Sequence, residues 1–153
     1  QAEDGIRDRS PSRGLGDVYK RQDPQAHPYF ATIAEAQVSA HFYVRRDGRV
    51  IQFVGCDRRA WHAGHSQWCG RGNCNDYSLG IELEGSDSRP FAQAQYVALW
   101  ALIDALRAHY PIAAMAGHCH VAPGRKTDPG PCFDWAAVRQ HYPMLELPAE
   151  VAV

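Results

Sequence analysis

From residue 38 to residue 54 the apolar positions fall into two β-rich runs around Asp47-Gly48. That dipeptide favours a tight turn and predicts a two-residue hairpin. A further strand is expected over 77–84. Between Phe91 and Tyr110 the period changes: Tyr96, Leu99, Trp100, Ile103 and Leu106 recur at three- and four-residue spacing, the stripe of an amphipathic helix. Pro111 ends it, because proline has no amide hydrogen to continue the ladder. A short apolar strand over 112–119 follows, then a loop rich in proline and glycine over 121–131. Next comes a helix that Asp134 can cap and that runs toward His141. From Pro143 the pattern is that of a frayed tail. Strands interleaved with helices predict an α/β domain, a mixed β-sheet with flanking helices.

Residues 1–22 follow neither period. They hold nine charged side chains, and their large apolar residues are Ile6, Leu15, Val18 and Tyr19. The segment is expected not to fold with the rest. Its text, Ala-Glu-Asp-Gly-Ile-Arg-Asp followed by Arg-Gly-Leu-Gly-Asp-Val-Tyr-Lys-Arg-Gln, resembles the conceptual translation of sequencing-adapter read-through. The expected division is therefore a leader over 1–22, a domain over 23–142 and a tail over 143–153.

Composition narrows the class. A chain of 153 residues, 45% hydrophobic and 22% charged, can bury a core as one domain. A net charge of -1 argues against an electrostatic nucleic-acid binder and for a small-molecule or mixed-charge partner. No apolar run reaches the roughly 18–20 residues of a membrane span, and no secretory apolar core opens the chain, so a cytoplasmic protein is expected. Five cysteines, with no repeated two-residue gap, suit a reducing compartment better than a disulfide or zinc-finger frame. Cys69 and Cys74 are close enough to bridge or share a metal, although a glycine-containing loop joins them. Eight histidines favour metal or acid/base chemistry.

The candidate chemistry gathers after the last strand. His118 closes that strand and Asp128 stands ten residues on, in Arg125-Lys126-Thr127-Asp128-Pro129-Gly130-Pro131. Imidazole and carboxylate can supply two of the three protein ligands of a catalytic zinc; a satisfied surface histidine and a capping aspartate are the commoner use of such a pair. Lys126, the one lysine outside the leader, puts a compact ammonium where it can face an oxyanion, or simply solvent. On the strand Ser78-Leu79-Gly80-Ile81-Glu82-Leu83-Glu84, period-two alternation sends Glu82 and Glu84 to one face. A half-buried Glu82 has the raised proton affinity of a general base; a solvated sheet face would hold the same acids without chemistry. Ala60-Trp61-His62-Ala63-Gly64 sets an aromatic plate beside an imidazole in a loop, which suits a sugar ring or a peptide. His41 is expected to pack or hydrogen-bond.

These motifs stand in a recognisable order. Val38-Ser39-Ala40-His41, Arg45-Arg46-Asp47-Gly48, Ala60-Trp61-His62-Ala63-Gly64, Cys74-Asn75-Asp76-Tyr77-Ser78, Gly80-Ile81-Glu82-Leu83-Glu84-Gly85, Gly117-His118-Cys119 and the Arg125–Pro131 run resemble those of AmpD-type N-acetylmuramoyl-L-alanine amidases, over about residues 23–142. The resemblance implies a zinc hydrolase of peptidoglycan recycling, of the fold shared with peptidoglycan-recognition proteins. Its substrate would be a small muropeptide, cut between 1,6-anhydro-N-acetylmuramic acid and the L-alanine of the stem peptide. It implies His118 and Asp128 as zinc ligands, Glu82 as acid/base, Lys126 as oxyanion stabiliser, and Trp61, His62, Asn75 and Asp76 along the substrate groove.

Two departures accompany the resemblance. The histidine that serves the family as first zinc ligand sits on a strand upstream of Asp23, where this chain carries the leader. The first strand and one ligand are therefore expected to be missing. His120 stands where relatives carry aspartate; in an extended segment it would share a face with His118 and offer a substitute ligand, but strand geometry sets the two side chains further apart than a shared metal favours, and a loop-facing histidine is the commoner outcome. Gln37 and Asn73 replace arginines of some relatives. A non-catalytic peptidoglycan-fragment binder is the competing function.

Overall fold

Ser78–Glu84 forms a strand that is buried along its whole length, which requires cover on both faces. The structure, a computed structural model, describes residues 14–21, 39–86 and 88–149. Number the strands β1 (Gly14–Arg21), β2 (Phe42–Val44), β3 (Val50–Gln52), β4 (Gln67–Trp68), β5 (Arg71–Gly72), β6 (Ser78–Glu84) and β7 (Ile112–Gly117). The five-stranded sheet runs β3-β2-β6-β1-β7, and β4 and β5 make a separate hairpin. β2, β6, β1 and β7 are mutually parallel neighbours, while β3 returns antiparallel to β2. The expected mixed sheet is thus present.

Three helices follow: α1 (Gln93–His109), α2 (His118–Val121) and α3 (Trp135–His141). Leu79, Ile81 and Leu83 of β6, with Phe42 and Val44 of β2, pack against Leu99, Ile103 and Leu106 of α1 and Val138 of α3. Leu99, fully buried, stabilises the fold by about 1.5–3 kcal/mol. Of the expected helical stripe, Tyr96 and Trp100 lie at its edge. Buried Gln95 takes a central place, donating from Nε2 to the carbonyls of Val44 and Glu84. Asp134 caps α3 as expected, its Oδ1 accepting from the Ala137 amide at 2.9 Å.

Several expectations are corrected. The hairpin over 45–49 has a three-residue loop. The Arg45 carbonyl accepts from the Gly48 amide and the Arg45 amide donates to Arg49, with Gly48 at φ 84 supplying the left-handed step of such a loop. The acids of β6 do not meet solvent: Glu82 and Glu84 are buried, because β6 is flanked by parallel strands and covered on both sides. The chain from Pro143 is not frayed through Glu146, which pairs with β7 through Met115 N–H to the Glu146 carbonyl (3.0 Å) and Glu146 N–H to the Ala113 carbonyl (2.9 Å).

The largest departure concerns the segment set apart by sequence. Gly14–Arg21 lies between β6 and β7, with Val18 in register with Ile81 and Gly117. The sheet position expected to be vacant is therefore filled. Two parallel strands one strand-width apart present rows of amides and carbonyls to each other, and these need partners whatever the side chains are. Backbone pairing meets that need without any apolar pattern, so periodicity gives no warning of it.

Candidate functional site

The sheet face opposite α1 carries Ser78, Gly80 and Glu82 of β6, and the loop over 60–66 lies across it. His41, 1% exposed, accepts from the Gly80 amide at Nδ1 (3.0 Å), and its Nε2 donates to the Arg58 carbonyl (3.0 Å). It packs and hydrogen-bonds, as expected. The His62 ring rests over Gly80, where a β-carbon would run into it, and meets His41 edge-on at 5.6 Å. Its Nε2 is 3.5 Å from Ser78 Oγ. Trp61, half exposed, has the Arg59 guanidinium 3.9 Å over its ring, and Arg59 in turn pairs with exposed Asp76 at 3.1 Å. Asn75 is buried, and its Oδ1 accepts from the amides of His62 (3.1 Å) and Ala63 (2.7 Å).

β7 ends at Gly117 and turns directly into α2, so His118 opens a helical turn rather than closing a strand. That turn places the buried His118 ring under the 60–66 loop. Its Nδ1 is 3.1 Å from Asp128 Oδ2 and its Nε2 is 3.1 Å from the Ala63 carbonyl. The Cys119 amide donates to the Asp128 carbonyl at 2.9 Å and ties the proline-rich loop back to α2. Burial pushes the Asp128 carboxyl up, but the hydrogen bond and charge of His118, its own amide and the Lys126 ammonium outweigh it and hold the group below the ordinary carboxylate value. Lys126 is exposed in the turn after α2, its amide donating to Ala122.

His120 lies on a helical turn, not in an extended segment. In a helical turn, residues two apart point to nearly opposite sides, whereas the expectation assumed an extended segment. His120 Nδ1 accepts from the Gly117 amide at 2.9 Å and the ring meets Trp135 edge-on, away from the His118–Asp128 pair. None of the five cysteines is in a disulfide; buried Cys74 lies by Tyr77 and exposed Cys69 by Glu146, so these two form neither a bridge nor a shared site. Gln37 lies outside the described residues.

Sequence reasoning missed Arg125 and the Ala63 carbonyl. One guanidinium nitrogen of Arg125 donates to Ala63 (2.7 Å) and His65 (2.9 Å) and stands 3.4 Å from His118 Nε2. A main-chain carbonyl leaves no mark in sequence; the arginine beside Lys126 was the available signal.

The donor atoms of His118 and Asp128 lie at about the separation that two ligands of one tetrahedral zinc take, and a nitrogen–oxygen donor set suits that ion. The residues present fit the metal as two donors. Among the described residues no group of three histidine, cysteine, aspartate or glutamate side chains converges, and Gly14–Arg21 contains no histidine.

The parallel-centred mixed sheet is that of the solved amidases to which it is similar, and the chain belongs to the N-acetylmuramoyl-L-alanine amidase family. The family's sequence model matches residues 16–131, a span that includes most of β1. Among characterised relatives it is 59% identical over 119 residues to the 1,6-anhydro-N-acetylmuramyl-L-alanine amidase AmpD of Escherichia coli K12, covering 76% of this chain and 65% of the relative. The chain spans just under two thirds of the length of its AmpD relatives. A crystal structure of an AmpD derivative superposes with a TM-score of 0.74 at 48% identity, over 84% of this chain and 83% of that one. The E. coli amidase AmiD, solved with anhydro-N-acetylmuramic acid-L-Ala-D-γ-Glu-L-Lys, superposes at 0.76 with 31% identity, over 97% and 63%. No described helix is long and apolar enough to cross a membrane.

Proposed function

We propose that this protein is a zinc-dependent amidase of the cytoplasm that hydrolyses the amide between the lactyl group of 1,6-anhydro-N-acetylmuramic acid and L-alanine. The carrying observation is the His118–Asp128 pair, 3.1 Å apart at the end of β7, in a chain so similar to anhydromuramyl amidases. His118 through Nδ1 and Asp128 through Oδ2 would hold the metal. When bound, zinc supplies Lewis acidity toward a water molecule and the scissile carbonyl.

The chain's own residues do the rest. Glu82, enclosed on the sheet face, takes a proton from the attacking water and later returns it to the departing L-alanine nitrogen. Lys126 sets a positive charge beside the oxygen that becomes anionic during attack, where arginine's broad, delocalised fork would serve less well. Trp61, backed by Arg59 and Asp76, offers a flat apolar rim for the saccharide. His62, buried against Gly80, shapes the groove floor.

Release of stem peptide from an anhydromuramyl-peptide, followed by chromatography, tests the proposal. With zinc in excess, release is expected; chelation stops it and added zinc restores it. Glu82→Gln is expected to slow release by about 10²–10⁴-fold. Release indifferent to chelation or to Glu82→Gln overturns it. The two-donor character of the described site favours a second reading, a binder of peptidoglycan fragments without turnover. Muropeptide binding that persists through chelation, with no release at any zinc level, would establish that reading instead.

A further inference from the structure

His41 is buried and takes no part in the chemistry assigned to the sheet face, yet its imidazole is hydrogen-bonded at both nitrogens. We propose that His41 is a positioning residue for the saccharide rim: by donating from Nε2 to the Arg58 carbonyl it fixes the start of the 58–61 segment, and with it the Arg59 guanidinium and the Trp61 face that meets the sugar. The proposal rests on the reading of Trp61 as that rim.

One side of the ring is held by the sheet. The Gly80 amide donates to Nδ1 at 3.0 Å and the His41 amide donates to the Gly80 carbonyl at 2.9 Å, so the two residues are locked together through side chain and main chain. Gly80 stands two residues before Glu82 on β6, which ties the anchor to the strand of the general base. An acceptor at Nδ1 of a neutral ring leaves the hydrogen on Nε2. The Arg58 carbonyl, 3.0 Å from Nε2, can only accept. Both partners are main-chain groups of fixed polarity, and one tautomer satisfies them both.

The other side of the ring reaches the rim. The Arg58 carbonyl belongs to the peptide plane that opens Arg59, whose guanidinium lies 3.9 Å over the Trp61 ring and 3.1 Å from Asp76. Arg59 covers one face of the half-exposed indole, so a stacking sugar is confined to the other. The Arg59–Asp76 pair is itself partly exposed, and ion pairs of that kind contribute little, so it does not hold the stack alone. The Trp61 main chain is tied separately: its amide donates to Ser39 Oγ (3.0 Å) and its carbonyl accepts from the Ser39 amide (3.1 Å). Ser39 thus pins Trp61 and His41 pins Arg58, which leaves Arg59 and Ala60 between two fixed points. Without the His41 bond one of those points is lost, and the guanidinium no longer has a fixed seat on the indole.

In the test, the full chain is titrated calorimetrically with 1,6-anhydro-N-acetylmuramic acid, and release of stem peptide is followed against substrate concentration. His41→Asn sets a carboxamide oxygen where Nδ1 stood, keeping the acceptor for Gly80, but does not reach Arg58. It should raise the saccharide Kd and the KM about 3–10-fold with kcat unchanged, as the loss of one hydrogen bond expressed in binding. His41→Gln carries its amide nitrogen out to the place of Nε2 and should restore both constants, with a lower melting temperature because the Gly80 amide loses its acceptor. In a Trp61→Ala background His41→Asn should have no further effect. If the asparagine variant does not melt cooperatively, His41→Gln and His41→Met, alike in reach but not in donor, make the same comparison. A folded asparagine or methionine variant with wild-type Kd and KM overturns the proposal, as does His41→Gln binding as weakly as His41→Asn, or an undiminished effect in the Trp61→Ala background. If the wild type does not bind the sugar, or Trp61→Ala alone leaves its affinity unchanged, the rim reading fails and the proposal with it. Absence of turnover in the wild type overturns the hydrolase reading only; the saccharide affinities still decide the role of His41.

Discussion

Tyr142, at the end of α3, shows how one side chain can join two helices by hydrogen bonds rather than by apolar area alone. Its hydroxyl reaches the Trp100 carbonyl at 3.0 Å and Asp104 Oδ1 at 2.9 Å, and its ring packs edge-on to Trp100. Burial, reinforced by the hydrogen bond to Asp104 and by that carboxylate's charge, pushes the phenol far above its ordinary value, against the smaller opposing effect of Arg107. Because the folded value is raised, this contribution is complete below the unfolded tyrosine value of about 10 and is lost as pH rises beyond it. Tyr142→Phe is expected to cost about 1 kcal/mol at neutral pH and to flatten the alkaline loss of stability, as measured by urea unfolding across pH. Nothing in the apolar pattern distinguishes Tyr142 from a surface tyrosine. By contrast, His118, Asp128, Glu82 and Lys126 are visible as chemistry because their types and order are unusual, although their partners are not.

At the scale of elements, α1 and the strands of the hairpin turn are legible because each has its own period and stop signal. Gln95 is the exception within α1: a polar residue at an apolar position, fully buried, satisfying Val44, Glu84 and the Ala92 amide at once. Gln95→Ala removes those partners from buried groups and opens a cavity. It is expected to lower unfolding free energy by more than about 2 kcal/mol, measured by denaturant titration. α2 was not legible. Its four residues follow an apolar strand without a break in pattern, and the turn is fixed by tertiary links, the Cys119–Asp128 hydrogen bond among them. That local difference decides the roles of two histidines, sending His118 to Asp128 and His120 to Trp135.

For the whole molecule, the strand between β6 and β7 matters most. Deleting residues 1–21 would leave two parallel edges facing an empty lane in the sheet. The shortened chain is expected to elute as oligomers and to lose the cooperative melt of the full chain; a monomer with an unchanged melting temperature would show that the strand contributes nothing. By itself, the sequence determined the α/β class, the long helix, the Asp134 cap and the ordered motifs that mark the amidase family. These are set by local periodicity and by residue types rare enough to be informative. Only tertiary structure decided that Glu82 and Glu84 are enclosed, that residues 14–21 complete the sheet, that Asn75 holds backbone, and that His118 lies between Asp128 and the Ala63 carbonyl. Each of those depends on main-chain groups or on neighbours distant in sequence, and backbone amides and carbonyls are the same at every position along the chain.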